Sequence, residues 1–163
     1  MLLSSQATSG WDLNHSISRS STGSTARISP SPVFSQISLT PKTELTLFIK
    51  ASDGIGNTPL HYASEWKFNN SVAILLEKGA NPNIRNANGE TAIFNAIKSD
   101  SSSTIDLLMR KGAQKNSRDY LGNTPLHACV RWDSKNSAMK LIQWKADLNV
   151  QNLAGKTPLA QAA

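Results

Sequence analysis

Only one cysteine, Cys129, stands among 163 residues, so the chain cannot close a disulfide within itself. This fits a reducing compartment without requiring one. Long apolar runs are also missing. No stretch approaches the roughly 18 residues of a membrane span, so no membrane insertion is expected. The opening Met1-Leu2-Leu3-Ser4-Ser5 has no basic segment and too short an apolar run for a secretory signal. Dense basic clusters are absent. The 17 lysines and arginines give a formal net charge of +6, but no run exceeds Arg110-Lys111. A basic patch usually gathers five or more such residues in a short window. Residues 44–163 hold 14 basic and 10 acidic residues, too even a balance to predict specific nucleic-acid binding. No phosphate-binding loop is complete. Gly155-Lys156-Thr157 lacks the glycine needed five residues earlier, where Val150 stands. No metal-ligand cluster or catalytic carboxylate pair is visible, so neither a cofactor nor catalysis is expected.

Residues 1–43 differ in composition from the rest. They contain 12 serines, 5 threonines and a single acidic residue, Asp12, with no recurring apolar period. Such a segment buries too little surface to offset its ordering entropy. A disordered tail or linker is expected there. A transit peptide or secretion leader is the alternative, since both share this acid-poor composition. Absent signals otherwise leave a cytoplasmic location, with secreted or organelle-targeted as the alternative. Residues 44–52 form a short cap whose apolar run, Glu44 to Lys50, suits a strand or one helical turn.

What the sequence does have is a period. Thr58-Pro59-Leu60-His61 returns as Thr124-Pro125-Leu126-His127, with Thr91-Ala92-Ile93-Phe94 between and Thr157-Pro158-Leu159-Ala160 after. The four threonines are 33 residues apart. Gly56, Gly89, Gly122 and Gly155 keep the same step, as do Asp53, Asn86, Asp119 and Asn152. The glycines suit the positive φ of a tight turn. Threonine followed by proline marks a helix start. Short helices are thus predicted from Pro59, Ala92, Pro125 and Pro158. Second helices are predicted after Asn70, Ser103 and Asn136 as caps. Their buried stripes would be Val72, Leu75, Leu76; Ile105, Leu108, Met109; and Ala138, Leu141, Ile142. Gly79 and Gly112 would end two of them in the left-handed conformation. The low hydrophobic fraction, 39%, suits a stack that buries only contact faces.

This pattern resembles the ankyrin repeat, whose signature is Thr-Pro-Leu-His-x-Ala within a 33-residue period. The resemblance spans about residues 51–163, with repeats 53–85, 86–118 and 119–151 and a partial 152–163. It implies an all-α solenoid of paired short helices joined by β-hairpin-like loops, preceded by the disordered tail. It also implies a non-catalytic, monomeric scaffold that binds another protein.

Departures from the pattern carry expectations of their own. The second repeat has Ala92 for proline and Phe94 for histidine. The third has Lys145 in place of the helix-ending glycine and Lys140 in the column of Ile74 and Leu107. Its second helix should be the loosest. The fourth stops at Ala163 after one helix, which suits a segment of a longer protein. Three and a half repeats lie near the minimum for stability, so marginal stability is expected.

His61 and His127 are read as structural, because neither has a ligand partner at metal spacing. Cys129 shares a column with Ala63, Ala96 and Ala162, which suits a small buried hydrophobe. The resemblance places partner-binding residues at the ends of the first helices and on the hairpins. The first group is Glu65, Trp66, Lys98, Arg131 and Trp132. The second is Ile55, Arg85, Asn88, Arg118, Tyr120 and Leu121, with Asn57, Glu90 and Asn123 also at the tips. Trp66 and Trp132 are expected to flank Lys98, or simply to cover the loop between helices. A protein-binding scaffold is the first functional reading. The alternative is a structural segment of a longer solenoid whose activity lies in further sequence.

Overall fold

A computed structural model of the protein describes residues 41–163. The expectations for residues 1–40 lie outside the described residues. Among these there are eight helices and no strand: α1 Pro41–Lys50, α2 Pro59–Glu65, α3 Asn69–Glu77, α4 Ala92–Lys98, α5 Ser102–Arg110, α6 Pro125–Arg131, α7 Lys135–Gln143 and α8 Pro158–Ala162. None is long and apolar enough to cross a membrane. The run 44–50 is therefore neither a strand nor a single turn. It belongs to a ten-residue helix that begins at Pro41 and buries Ile49.

The inner helices α2, α4, α6 and α8 start at the predicted residues. Thr58, Thr91, Thr124 and Thr157 stand just before them with extended backbone. Proline at the first position of three of these helices gives up no hydrogen bond, because that N–H has no partner inside a helix. Inner helix packs on inner helix, α2 on α4, α4 on α6 and α6 on α8. The outer helices form a second row, α3 on α5 and α5 on α7. The core runs between the rows. Ile93, Ile97, Ile105, Leu108 and Leu141 are fully buried there.

The outer helices begin earlier than the caps expected at Asn70, Ser103 and Asn136. The capping residues are Phe68, Ser101 and Ser134. The reason lies one residue before each. Lys67, Asp100 and Asp133 hold φ of +58°, +49° and +50°, a left-handed step that turns the chain sooner. Ser101 then accepts a hydrogen bond from the Thr104 N–H at 3.4 Å. Ser134 instead donates to the Ile97 carbonyl of the preceding repeat at 2.6 Å.

Two expectations about the third repeat need correction. Ile142 does not join the buried stripe and is 52% exposed. Leu76 and Met109 are buried in the same column, where a following outer helix packs on α3 and on α5. Among the described residues none follows α7. Lys140, meanwhile, sacrifices no burial. Ile74 in its column is itself exposed, and the Lys140 ammonium lies 3.9 Å from the Asp106 carboxylate.

Lys145 does take the strained backbone that its position demands. Its φ is +58°, where Gly79 has +95° and Gly112 has +86°. A left-handed L-residue costs about 1–2 kcal/mol. Lys145→Gly is therefore expected to raise the free energy of unfolding by roughly 1 kcal/mol. Urea denaturation compares the two proteins, and an unchanged or lower midpoint refutes the expectation.

Candidate functional site

The loops ahead of the inner helices are built by one repeated device. The side-chain oxygen of Asp53, Asn86, Asp119 or Asn152 accepts backbone N–H groups from its own loop, as Asp119 does from Leu121 at 2.9 Å and Asn123 at 2.8 Å. Each loop then reaches its neighbour. Ala87 N–H donates to the Ile55 carbonyl, Tyr120 N–H to Asn88 and Leu153 N–H to Leu121, at 2.8, 3.1 and 3.0 Å. A side-chain ladder runs underneath. The Asn86 amide donates to Asn57 and the Asn152 amide to Asn123, both at 2.9 Å. For that reason Asn57 and Asn123, expected at the tips, are buried. Glu90 is buried too, with its carboxylate 2.9 Å from the Lys98 ammonium.

What remains exposed at the tips is apolar or aromatic: Ile55, Tyr120, Leu121 and Leu153. Asn88 is exposed beside them. Arg85 and Arg118 brace the row from outside. Arg85 donates to the Gly89 carbonyl at 3.1 Å and to Arg118 at 2.7 Å. Its guanidinium carbon also lies 5.0 Å from the centre of the Tyr120 ring. Arg118 donates to the Gln151 carbonyl at 3.3 Å.

At the ends of the inner helices, Lys98 and Arg131 lie 5.3 and 5.5 Å from the centre of the Trp132 ring. Such contacts are each worth about 0.5–1 kcal/mol where water reaches them. Lys98 belongs to the repeat before Trp132, so this contact is also a stacking contact. Glu65 is half-buried and accepts from the Asn95 amide at 2.9 Å. The structure does not bring Trp66 to this group. Trp66 stands 6.5 Å from Phe68, centre to centre, and lines a separate groove with Leu45, Phe48 and Ile74. In the third repeat the matching position meets a preceding Lys98. In the first repeat α1 stands in front instead, and Trp66 is 65% exposed. Sequence reasoning passed over Leu153 and Lys156 as binding candidates, although both occupy tip columns. They line a shallow groove of about 510 Å³ with Leu121 and Arg131.

The two histidines form bonds that hold one repeat to the next. His61 Nδ1 accepts the Thr58 N–H at 3.1 Å, so its other nitrogen carries the proton and donates to the Glu90 carbonyl at 3.2 Å. His127 repeats the arrangement with Thr124 at 3.1 Å and Lys156 at 2.8 Å. Burial pulls the His61 pKa below its usual value. The unfolded chain then binds the proton before the folded one. Stability is expected to be flat above about pH 6.5 and to fall below it, by at most about 1.4 kcal/mol per pH unit. Urea midpoints at pH 7.5, 6.5 and 5.5 check this, with His61→Gln removing the added slope.

Cys129 is buried, and burial pushes its thiol up to about 12. A thiol is nucleophilic only as thiolate, so this one is a packing residue like the alanines in its column. No group of three or more metal-ligating side chains occurs among the described residues.

The profile of the family described as "Ankyrin repeats (3 copies)" matches residues 68–152. A stretch of 44 residues is 50% identical to Rabankyrin-5 of Homo sapiens, covering 27% of this chain and 4% of that protein. A stretch of 47 residues is 45% identical to Rabankyrin-5 of Mus musculus, covering 29% of this chain and 4% of that protein. The match to this chain thus spans a small fraction of either relative. Ankyrin repeats are in general protein–protein interaction modules. With three of its repeats matched over more than half of its length, the chain belongs to the ankyrin-repeat family.

Proposed function

We propose that this stack binds another protein through the face made by its hairpin tips and inner-helix ends, as a scaffold without catalysis of its own. The observation that carries this reading is the row Tyr120, Leu121 and Leu153, exposed by 62, 61 and 76%. These side chains stand beside Arg131 and Lys156, which form no ion pair among the described residues. Apolar surface next to unpaired cations favours a partner segment that carries apolar and acidic side chains together. Aromatic residues and arginine dominate binding hot spots, and Tyr120, Trp132, Arg85 and Arg131 supply them here. Ile55, Asn88, Lys98, Arg118 and Glu65 form the surround. Trp66 faces a different groove and is peripheral in this reading.

Paired affinity capture from the source organism tests it, with the full chain as one bait. The second bait carries Leu121→Asp and Arg131→Glu, and circular dichroism verifies its fold. The double variant is expected to weaken capture of a specific partner about 30-fold or more, the loss of at least one hot spot. A partner held equally by both baits overturns the reading.

A further inference from the structure

Beyond α6 and α7 the stack presents a groove of about 610 Å³, whose walls include Val130, Ala138, Ile142, Leu148 and Leu159. Asp133 stands at its rim. The interface one repeat earlier shows what such a surface accepts. There α7 lies on α5, and Asp100 receives the first turn of α7. The Ser137 N–H donates to one Asp100 oxygen at 2.7 Å, and the Asn136 amide donates to the other at 2.7 Å. These bonds hold the Asp100 carboxyl below its usual pKa against the effect of its partial burial. The carboxylate also meets the positive end of the helix dipole.

Asp133 repeats Asp100 one step later, with φ of +50° against +49°. Its side chain is 84% exposed, with Lys135 3.8 Å away. A second polar group is repeated as well. Asn83 and Asn116 accept the N–H groups of Gln114 and Asp147 in the following repeat, at 2.8 and 3.0 Å. Asn149 is the next of this series and lines the groove. Apolar wall, helix-receiving carboxylate and loop-receiving amide are thus carried forward together.

We propose that this end face docks an amphipathic helix of a partner protein, with apolar residues at i, i+3 and i+4 and its first turn held by Asp133. Continuity with the α5–α7 interface is the ground for a helix as occupant. A second copy of this chain fits less well. At the opposite end of the stack α1 already packs on α2 and buries Ile49, so a copy does not offer a bare first repeat. The site is separate from the hairpin-tip face and stands or falls without it.

The probe is this chain's own helix, residues 134–146, acetylated, amidated and held helical by a lactam joining positions 139 and 143. Both positions face solvent in α7. It is titrated calorimetrically into the full chain. Saturable one-to-one binding is expected, with none for a scrambled peptide. Asp133→Lys and Leu159→Asp are each expected to weaken binding about tenfold or more, as loss of charge-assisted bonds or of an apolar wall would. Neither change should disturb the fold. Lys67 already occupies the Asp133 column at φ of +58°, and Leu159 is 79% exposed. Absence of binding, or equal binding by the variants, overturns the proposal. So does self-association of the unliganded chain that Leu159→Asp abolishes, because the face would then belong to a second copy.

Discussion

Phe94→Ala is expected to lower the free energy of unfolding by about 3–5 kcal/mol, the usual cost of deleting a fully buried ring. Phe94 is 1% exposed and lies in the middle inner helix, where every residue from Ala92 to Ile97 is buried. α2 covers that helix on one side and α6 on the other. In the first and third repeats a histidine stands in this column and ties its threonine to the next loop. The second repeat has no such tie, so its hold on both neighbours rests on ring packing. Total stabilities of about 5–15 kcal/mol are usual, and for a short repeat stack such a loss is a large share. Urea unfolding followed by circular dichroism measures it. A loss under about 1 kcal/mol would mean that the site collapses around the alanine and that Phe94 is no keystone.

His127→Ala is expected to rank beside it, at about 2–5 kcal/mol. His127 is fully buried, and its ring joins Thr124 to the Lys156 carbonyl. Alanine leaves both groups without that partner, at about 1–3 kcal/mol each where water is excluded, and opens a void. His127→Phe separates the two effects. The second repeat shows with Phe94 that this column accepts a ring without hydrogen bonds. The phenylalanine variant should recover the packing share and leave the hydrogen-bond share lost. If it is no better than alanine, the cost is entirely polar. If it matches the native protein, the two hydrogen bonds contribute nothing.

Much of this architecture was legible because a 33-residue period repeats its own local chemistry. Threonine before proline marked every inner helix, and Gly79, Gly112 and even Lys145 marked helix ends by backbone demand alone. The outer-helix caps were misplaced by two residues because the turn is made by Lys67, Asp100 and Asp133. None of these is a residue type that announces a left-handed step as glycine does. Asp100 clamping Asn136 and Ser137 was invisible, since its meaning lies in residues one repeat away. The candidate surface divides similarly. Tyr120 and Leu121 could be placed on a tip from the turn pattern. Trp66 and Trp132 share a column, yet their neighbours differ, and only the spatial neighbour decides whether an indole stacks on a lysine or meets solvent. Glu90 was misread as a tip for the same reason, because its position depends on the buried ladder beneath the loop.

The inter-repeat hydrogen bonds have a consequence for how the chain is born. His61 to Glu90, Asn86 to Asn57, Ser134 to Ile97 and Asp147 to Asn116 join residues 29, 29, 37 and 31 positions apart. No contact of this kind waits for the far end of the protein. A ribosome adding about 5–20 residues per second delivers one repeat in a few seconds, far longer than a helix needs to form. Each new repeat therefore emerges onto a neighbour already in place, and the stack grows by accretion in the order of synthesis.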